Sequence, residues 1–167
     1  MNTYPYRTYA EINLNKLEDN LRQVRKFVGD KCKIMFVLKG DAYGHGTPVC
    51  AKFSERLVDG FAVATIEEAL SVRCVSSEKP VLLLGALQND SDVIAAADKK
   101  ITISAYSLDY MHRVNQILSN THEIIDCHIK IDTGMNRTGL FARLENFAEA
   151  VEQAERIYFS SGLSFST

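Results

Sequence analysis

Two stretches of the chain carry residue types that could do chemistry. In the first, the apolar run Ile34-Met35-Phe36-Val37-Leu38 gives way to Lys39-Gly40-Asp41-Ala42-Tyr43-Gly44-His45-Gly46. A free lysine ammonium titrates near about 10.4 and is a poor nucleophile at neutral pH. Burial beside apolar strand residues favours the neutral amine, which can form a Schiff base with a carbonyl. A lysine that only snorkels to solvent from a strand end is the competing reading. Gly44 and Gly46 flank His45 and precede a helix start, so the backbone can approach a ligand closely and the helix end favours an anion. Any strand-to-helix connection can need such a turn, so the glycines alone discriminate little. His45 is read as a turn or packing residue without a catalytic role.

The second stretch is His128-Ile129-Lys130-Ile131-Asp132-Thr133-Gly134-Met135-Asn136-Arg137-Thr138-Gly139. Along it and just before it, Ile125, Cys127, Ile129 and Ile131 alternate with Asp126, His128, Lys130 and Asp132. A period of two places the polar set on one face of a strand. On a barrel strand that face would point inward, where charge is costly unless it is paired or serves a site. On an open sheet the same pattern is a solvated strand face.

The elements that must position these residues alternate along the chain. A strand-like piece spans Tyr9 to Leu14. A helix follows from about Lys16 to Val28, with Asn15 and Glu18 spaced as a capping box, Leu17, Leu21, Val24 and Val28 as its apolar stripe, and Gly29 as its stop. The run 34–38 suits a parallel strand buried on both faces. Thr47 and Pro48 suit the N-cap and first position of the next helix. Further strands are expected at Phe61 to Ala64, Val81 to Leu84, Ile101 to Ser104 and Ile124 to Ile131, with a weaker one near Tyr158. Helices are expected near 66–74, 91–98, 108–119 and 143–156. Thr65 with Glu68 forms a second capping box and Ser107 a fourth helix cap. Repeated βα units imply a parallel sheet, either open and doubly wound or part of a (β/α)8 barrel. Six strands fall short of the eight of a closed barrel, so the expectation is an incomplete barrel with two open edges.

With 167 residues the chain can bury one real core, and 46% hydrophobic with 24% charged residues is ordinary for a globular protein rather than a disordered one. A formal net charge of −2 argues against a nucleic-acid or anionic-membrane binder. No apolar run approaches the roughly 20 residues of a membrane helix, and the first residues lack the basic start and apolar stretch of a secretory signal. The four cysteines, at 32, 50, 74 and 127, form no CxxC pair and fit neither a zinc site nor a disulfide framework. They read as free thiols of a reducing cytoplasm.

The segment Lys39 to Gly46 closely resembles the cofactor-lysine signature of alanine racemases. The segment Lys130 to Gly139 resembles their second signature, in the same order and at a similar separation, and Tyr9-Ala10-Glu11-Ile12 resembles the family's start. The resemblance covers essentially the whole chain. It implies a pyridoxal phosphate enzyme: an N-terminal barrel that binds the cofactor, a C-terminal β domain, a homodimer in the intact parent, and interconversion of L- and D-alanine to supply cell-wall peptidoglycan. By position, Lys39 would hold the cofactor and act as one of two catalytic bases. Tyr43 would hydrogen-bond the cofactor phosphate, Lys130 matches a lysine that is often carbamylated, and Arg137 matches an arginine near the pyridoxal phenolic oxygen and the substrate. A serine-type racemase and a non-catalytic pyridoxal phosphate carrier share parts of this pattern.

The chain also departs from the family. Full members are more than twice as long, and a Thr/Ser-His-Phe element is usual where this chain has Gly162-Leu163-Ser164-Phe165-Ser166-Thr167. The expectation is that residues 1–167 form a single incomplete N-terminal barrel domain without the C-terminal β domain. The opposite-face tyrosine, supplied in the family by the partner subunit, would then be missing, and the chain alone would be inactive.

Overall fold

Apolar periodicity, caps and strand runs resolve into real elements in a computed structural model that describes residues 8–121, 123–141, 148–149, 151–152 and 163–165. In chain order these are α1 (Leu14–Val28), β1 (Met35–Val37), the short turn α2 (Lys39–Gly44), α3 (Thr47–Ser54), β2 (Gly60–Val63) and α4 (Ile66–Arg73). They continue with β3 (Val81–Leu83), α5 (Asp90–Asp98), β4 (Thr102–Ala105), α6 (Leu108–Leu118), β5 (Ile125–Ile129), β6 (Ile131–Asp132), β7 (Leu140–Phe141) and β8 (Leu163–Phe165).

Six strands form one parallel sheet in the order β1-β2-β3-β4-β5-β8, and β6 pairs β7 in a separate two-stranded ladder. From β1 to β5 each strand lies beside its predecessor in sequence. A doubly wound sheet reverses direction at a switch point; this order never does. With right-handed crossovers, an unreversed order puts the helices on one face. The alternative left open by sequence is thereby decided in favour of a partial (β/α)8-type barrel.

The core lies between sheet and helices. Phe61, Val63, Val81, Leu83, Ile101 and Ile103 are buried from the sheet side and Ala69, Val72, Val93, Ala96, Met111 and Val114 from the helices. Each fully buried side chain of valine or isoleucine size contributes about 1.5–3 kcal/mol relative to exposure. The free thiol of Cys127 sits in this layer, and burial, with a smaller push from Asp126, raises its pKa to about 12.

Helices α4, α5 and α6 and strands β2, β3 and β4 begin and end within one residue of the pattern read from sequence. The Thr65–Glu68 capping box forms in both directions, Ser107 accepts from the Tyr110 amide, and Gly29 ends α1 by donating its N–H to Arg25 O. Several expectations are corrected. Residues 9–13 form no strand. Asn13, not Asn15, caps α1, its Oδ1 accepting from the Lys16 amide at 3.1 Å. The earlier start adds Leu14 to the stripe Leu17-Leu21. Position N3 of that cap is Lys16, so no capping box closes, and Glu18 instead accepts from Arg22 at 2.8 Å. Gly46 rather than Thr47 occupies the N-cap of α3.

Strand β1 is not buried on both faces: it lies at the sheet edge with Met35 41% exposed. The alternation expected through Ile131 also ends early. It holds over Ile125, Asp126 and Cys127, but β5 stops at Ile129, and beyond it Ile131 is exposed and Asp132 buried. The chain leaves the main sheet there and changes face. Tyr158, with most of the helix expected over 143–156, lies outside the described residues. The sixth strand of the sheet is Leu163–Phe165, in register with Ile125–Cys127 of β5.

Candidate active site

Active sites of parallel α/β folds form at the carboxyl ends of the strands. The ladder of β1 extends one residue past the strand through Leu38 N–H to Ala62 O at 2.8 Å, and Lys39 follows directly. The next four residues take left-handed helical angles: Gly40 (φ 64, ψ 43), Asp41 (52, 50), Ala42 (53, 43) and Tyr43 (55, 37). For L-residues this conformation costs about 1–2 kcal/mol each, so the three non-glycine residues store roughly 3–6 kcal/mol.

The surroundings over-determine the turn. Glu68, on the first turn of α4, accepts Gly40 N–H at 2.6 Å and Asp41 N–H at 3.3 Å through Oε1. Its Oε2 accepts Ala64 N–H at 2.8 Å and Thr65 N–H at 3.3 Å. Ala42 N–H donates to Leu38 O, Gly46 N–H to Asp41 O, and the buried Thr47 hydroxyl to Leu38 O. Charge-assisted hydrogen bonds are worth about 1.5–3 kcal/mol each, so the two from Glu68 to the turn match the stored strain in size. Burial opposes ionisation of Glu68, but the amides of Ala64, Gly40, Asp41 and Thr65 outweigh it and hold the carboxyl below its ordinary value.

The turn does not leave an open anion cradle. The first amide of α3, Thr47 N–H, is taken at 2.7 Å by the Asp41 carboxylate, so the chain's own acid fills the helix start. The strained turn begins directly after Lys39 and ends at Tyr43. Lys39 is half-buried, its Nζ lies 6.0 Å from the centroid of the Tyr43 ring, and Tyr43 is 65% exposed. His45 is exposed and turns its Nδ1 to Tyr43 O at 3.2 Å, the local role its position suggested.

At the far end of the row, β5 delivers the second stretch. Lys130 N–H continues the ladder to Ala105 O at 2.8 Å, and the chain then loops back so that Leu140 N–H reaches Lys130 O. Buried Asp132 organises the loop: Oδ1 accepts the amides of Gly134 (2.8 Å) and Asn136 (3.0 Å), and Oδ2 accepts that of Arg137 (2.9 Å). These amides of Asn136 and Gly134, then that of Arg137 and the nearby Lys130 charge, lower its pKa against burial. Gly139 closes the loop at φ +121, where a Cβ would stand 2.8 Å from Lys130 O and 2.9 Å from Asp132 N, so only glycine fits.

Lys39 and Tyr43 are therefore brought together on one turn, and Lys130 and Arg137 on one loop. β1 and β5 stand four places apart in the sheet, and no hydrogen bond, ion pair or ring contact joins the two pairs among the described residues. The side chains of Lys39, Lys130 and Arg137 form no hydrogen bond or ion pair with another described residue. Three basic side chains thus sit at the carboxyl end of one parallel sheet, with Lys130 near enough to buried Asp132 to favour that carboxylate, a donor set suited to an anionic group.

The family described as "Alanine racemase, N-terminal domain" matches residues 12–165 of the chain. The chain belongs to that family. Alanine racemase 2 of Caldanaerobacter subterraneus subsp. tengcongensis is 41% identical over 133 residues, which is 79% of this chain and 34% of that protein. The alanine racemase of Synechocystis is 32% identical over 157 residues, 93% of this chain and 42% of that one. The solved alanine racemase of Clostridium difficile 630 superimposes with a TM-score of 0.86 at 32% identity, covering 98% of this chain and 42% of that structure. The chain thus spans about a third to two-fifths of the length of the relatives it matches.

For this alanine racemase N-terminal domain, sequence pattern pointed to Lys39, Tyr43, Lys130 and Arg137 but passed over Asp132 and Glu68 as site residues. In the sequence, Glu68 reads only as a helix cap. A carboxylate with two oxygens and a helix start beside a neighbouring strand end was the available signal; the left-handed turn that its second oxygen holds was not legible in residue types.

Proposed function

We propose that this chain is the cofactor-binding part of a pyridoxal phosphate-dependent amino-acid racemase that interconverts L- and D-alanine in the cytoplasm, supplying D-alanine for peptidoglycan, and that acts as a homodimer when complete. The observation that carries the reading is Lys39 at a strand end on a strained, doubly anchored turn beside an exposed Tyr43. The donor set fits the cofactor: a primary amine for its aldehyde, a phenol for its phosphate, and the basic side chains of Lys130 and Arg137 for anionic oxygens.

Lys39 Nζ would attach the cofactor, and the Tyr43 hydroxyl would donate to its phosphate. Arg137 would stand near the ring oxygen, oriented by Lys130 if that amine is carbamylated, since a carbamate pairs with a guanidinium fork. When bound, pyridoxal phosphate supplies an electron sink for negative charge at the substrate Cα. Lys39 would then take or return the Cα proton on one face of the substrate. Inversion also needs a base on the opposite face, and none of the seven tyrosines lies in a segment matching the family's opposite-face tyrosine. In this reading residues 1–167 act as one incomplete barrel domain and racemise alanine poorly on their own.

The test is alanine in D2O with the chain and pyridoxal phosphate, followed by NMR for loss of the Cα proton and by chiral chromatography for inversion. Exchange should exceed inversion and should fall to the cofactor-only rate in Lys39→Ala. Inversion as fast as exchange, or exchange indifferent to Lys39→Ala, would contradict the proposal.

A further inference from the structure

The Glu68 carboxylate spans two structures with its two oxygens. Oε2 completes the start of α4 through Ala64 and Thr65, at the end of β2. Oε1 reaches across to Gly40 and Asp41, the first two residues of the left-handed turn. A helix cap needs only the first set. The second set links residues 28 and 27 positions apart and bears on the residue next to Lys39.

The donors Glu68 meets are all backbone N–H groups, so only an acceptor at both oxygens satisfies them. A glutamine presents one oxygen and one NH2, and its NH2 would face an N–H on one side or the other. The turn is the place where such a loss is felt, because Asp41, Ala42 and Tyr43 lie in a conformation that L-residues leave readily when contacts are removed. Relaxation there would move Lys39 and Tyr43, which bracket the turn. The opposite boundary of the same clamp is unyielding: a Cβ on Gly85 would stand 2.2 Å from Ala64 O, so the β2 end is packed against the β3 end without slack.

We infer that Glu68 is a positioning residue for the Lys39 amine: it locks the left-handed turn to the β2–α4 junction and so fixes where Lys39 and Tyr43 point. This inference rests on the proposed role of Lys39.

The experiment compares the chain with Glu68→Gln and Thr65→Ala. Thr65→Ala removes the hydroxyl that caps α4 and leaves the Oε1 contacts intact, so it controls for a merely weakened helix. Two readouts are taken under conditions where all three are folded by circular dichroism. The first is amide hydrogen exchange at Gly40 and Asp41. The second is the rate at which pyridoxal phosphate with borohydride labels Lys39, normalised to the other lysines. Glu68→Gln should speed exchange at both amides and slow Lys39 labelling about tenfold, while Thr65→Ala leaves both near wild type. Unchanged exchange and labelling in Glu68→Gln would overturn the inference, as would an equal loss in Thr65→Ala. If Glu68→Gln fails to fold, Glu68→Asp, which keeps the charge and shortens the arm by one methylene, is read in the same way. Should the wild-type chain label Lys39 no faster than its other lysines, the cofactor reading fails; the exchange comparison by itself then upholds or overturns the clamp.

Discussion

The two ends of the parallel sheet are held together by opposite chemistry. At the carboxyl end, Glu68 and Asp132 each gather several backbone N–H groups and fix loops in unusual conformations. At the amino end, Arg73 works in reverse, donating to the carbonyls of Lys99 at 2.7 Å and of Lys79 and Lys100 at 2.5 Å. Lys79 donates likewise to Val58 O and Lys52 to Val75 O. The division is not absolute, since Asp59 accepts from Ile34 N–H at the amino end and Arg113 donates to Leu87 O and Gln88 O at the other. The backbone conformation differs more sharply. Arg73 ties ordinary turns, with Lys100 (φ 51) the one left-handed non-glycine residue beside it, whereas the Glu68 clamp holds three in succession. A guanidinium that collects carbonyls secures a fold; a carboxylate that holds a strained turn aims side chains.

Arg73→Ala should produce the largest change in stability. Burial lowers the guanidinium's pKa, with Glu78 opposing, yet it stays protonated. Removing it leaves carbonyls of two loops without their donor, a loss of about 2–4 kcal/mol by the scale of charge-assisted hydrogen bonds. Urea denaturation should show a lower midpoint, while Lys39 labelling in the folded protein stays as in wild type. A parallel loss of labelling would erase the distinction between the two ends.

Acid should give a smaller, local effect at the opposite end. The Glu68 carboxyl titrates below its ordinary 4.5 in the folded chain. A depressed folded pKa means that its stabilisation is complete above the ordinary value and is lost as pH falls through the folded one. Arginine does not titrate in this range. Protection of the Gly40 and Asp41 amides, corrected for intrinsic exchange, should therefore fall below pH 4.5 before protection of Ile101, whose N–H donates to Ala96 O at 2.8 Å beside the Arg73 corner. Loss at Ile101 first would reverse the comparison.

Much of the scaffold was legible because its signals are local. Thr65, Glu68 and Ser107 announce helix starts, and short apolar runs announce β2 to β4. The signals failed where two cues competed or where tertiary pairing decided. Asn13 and Asn15 both suit a cap, and Leu14 settled it by joining the apolar stripe. The run 34–38 looks doubly buried, but its place at the sheet edge depends on which strands pair. In the site, Lys39, Tyr43, Lys130 and Arg137 were found through two long signatures. Aspartate tolerates left-handed angles singly, but nothing in Ala42 or Tyr43 as residue types predicts three such residues in succession, and Asp132 looks like one more polar position of a strand that in fact ends three residues earlier.

The most direct test of the account is to expose the chain to pyridoxal phosphate, reduce with borohydride and map the modified peptides across its ten lysines. Lys39 should be labelled first and dominantly, with Lys130 and the surface lysines well behind. Dominant labelling elsewhere with Lys39 untouched would contradict the assignment of this turn as the cofactor site.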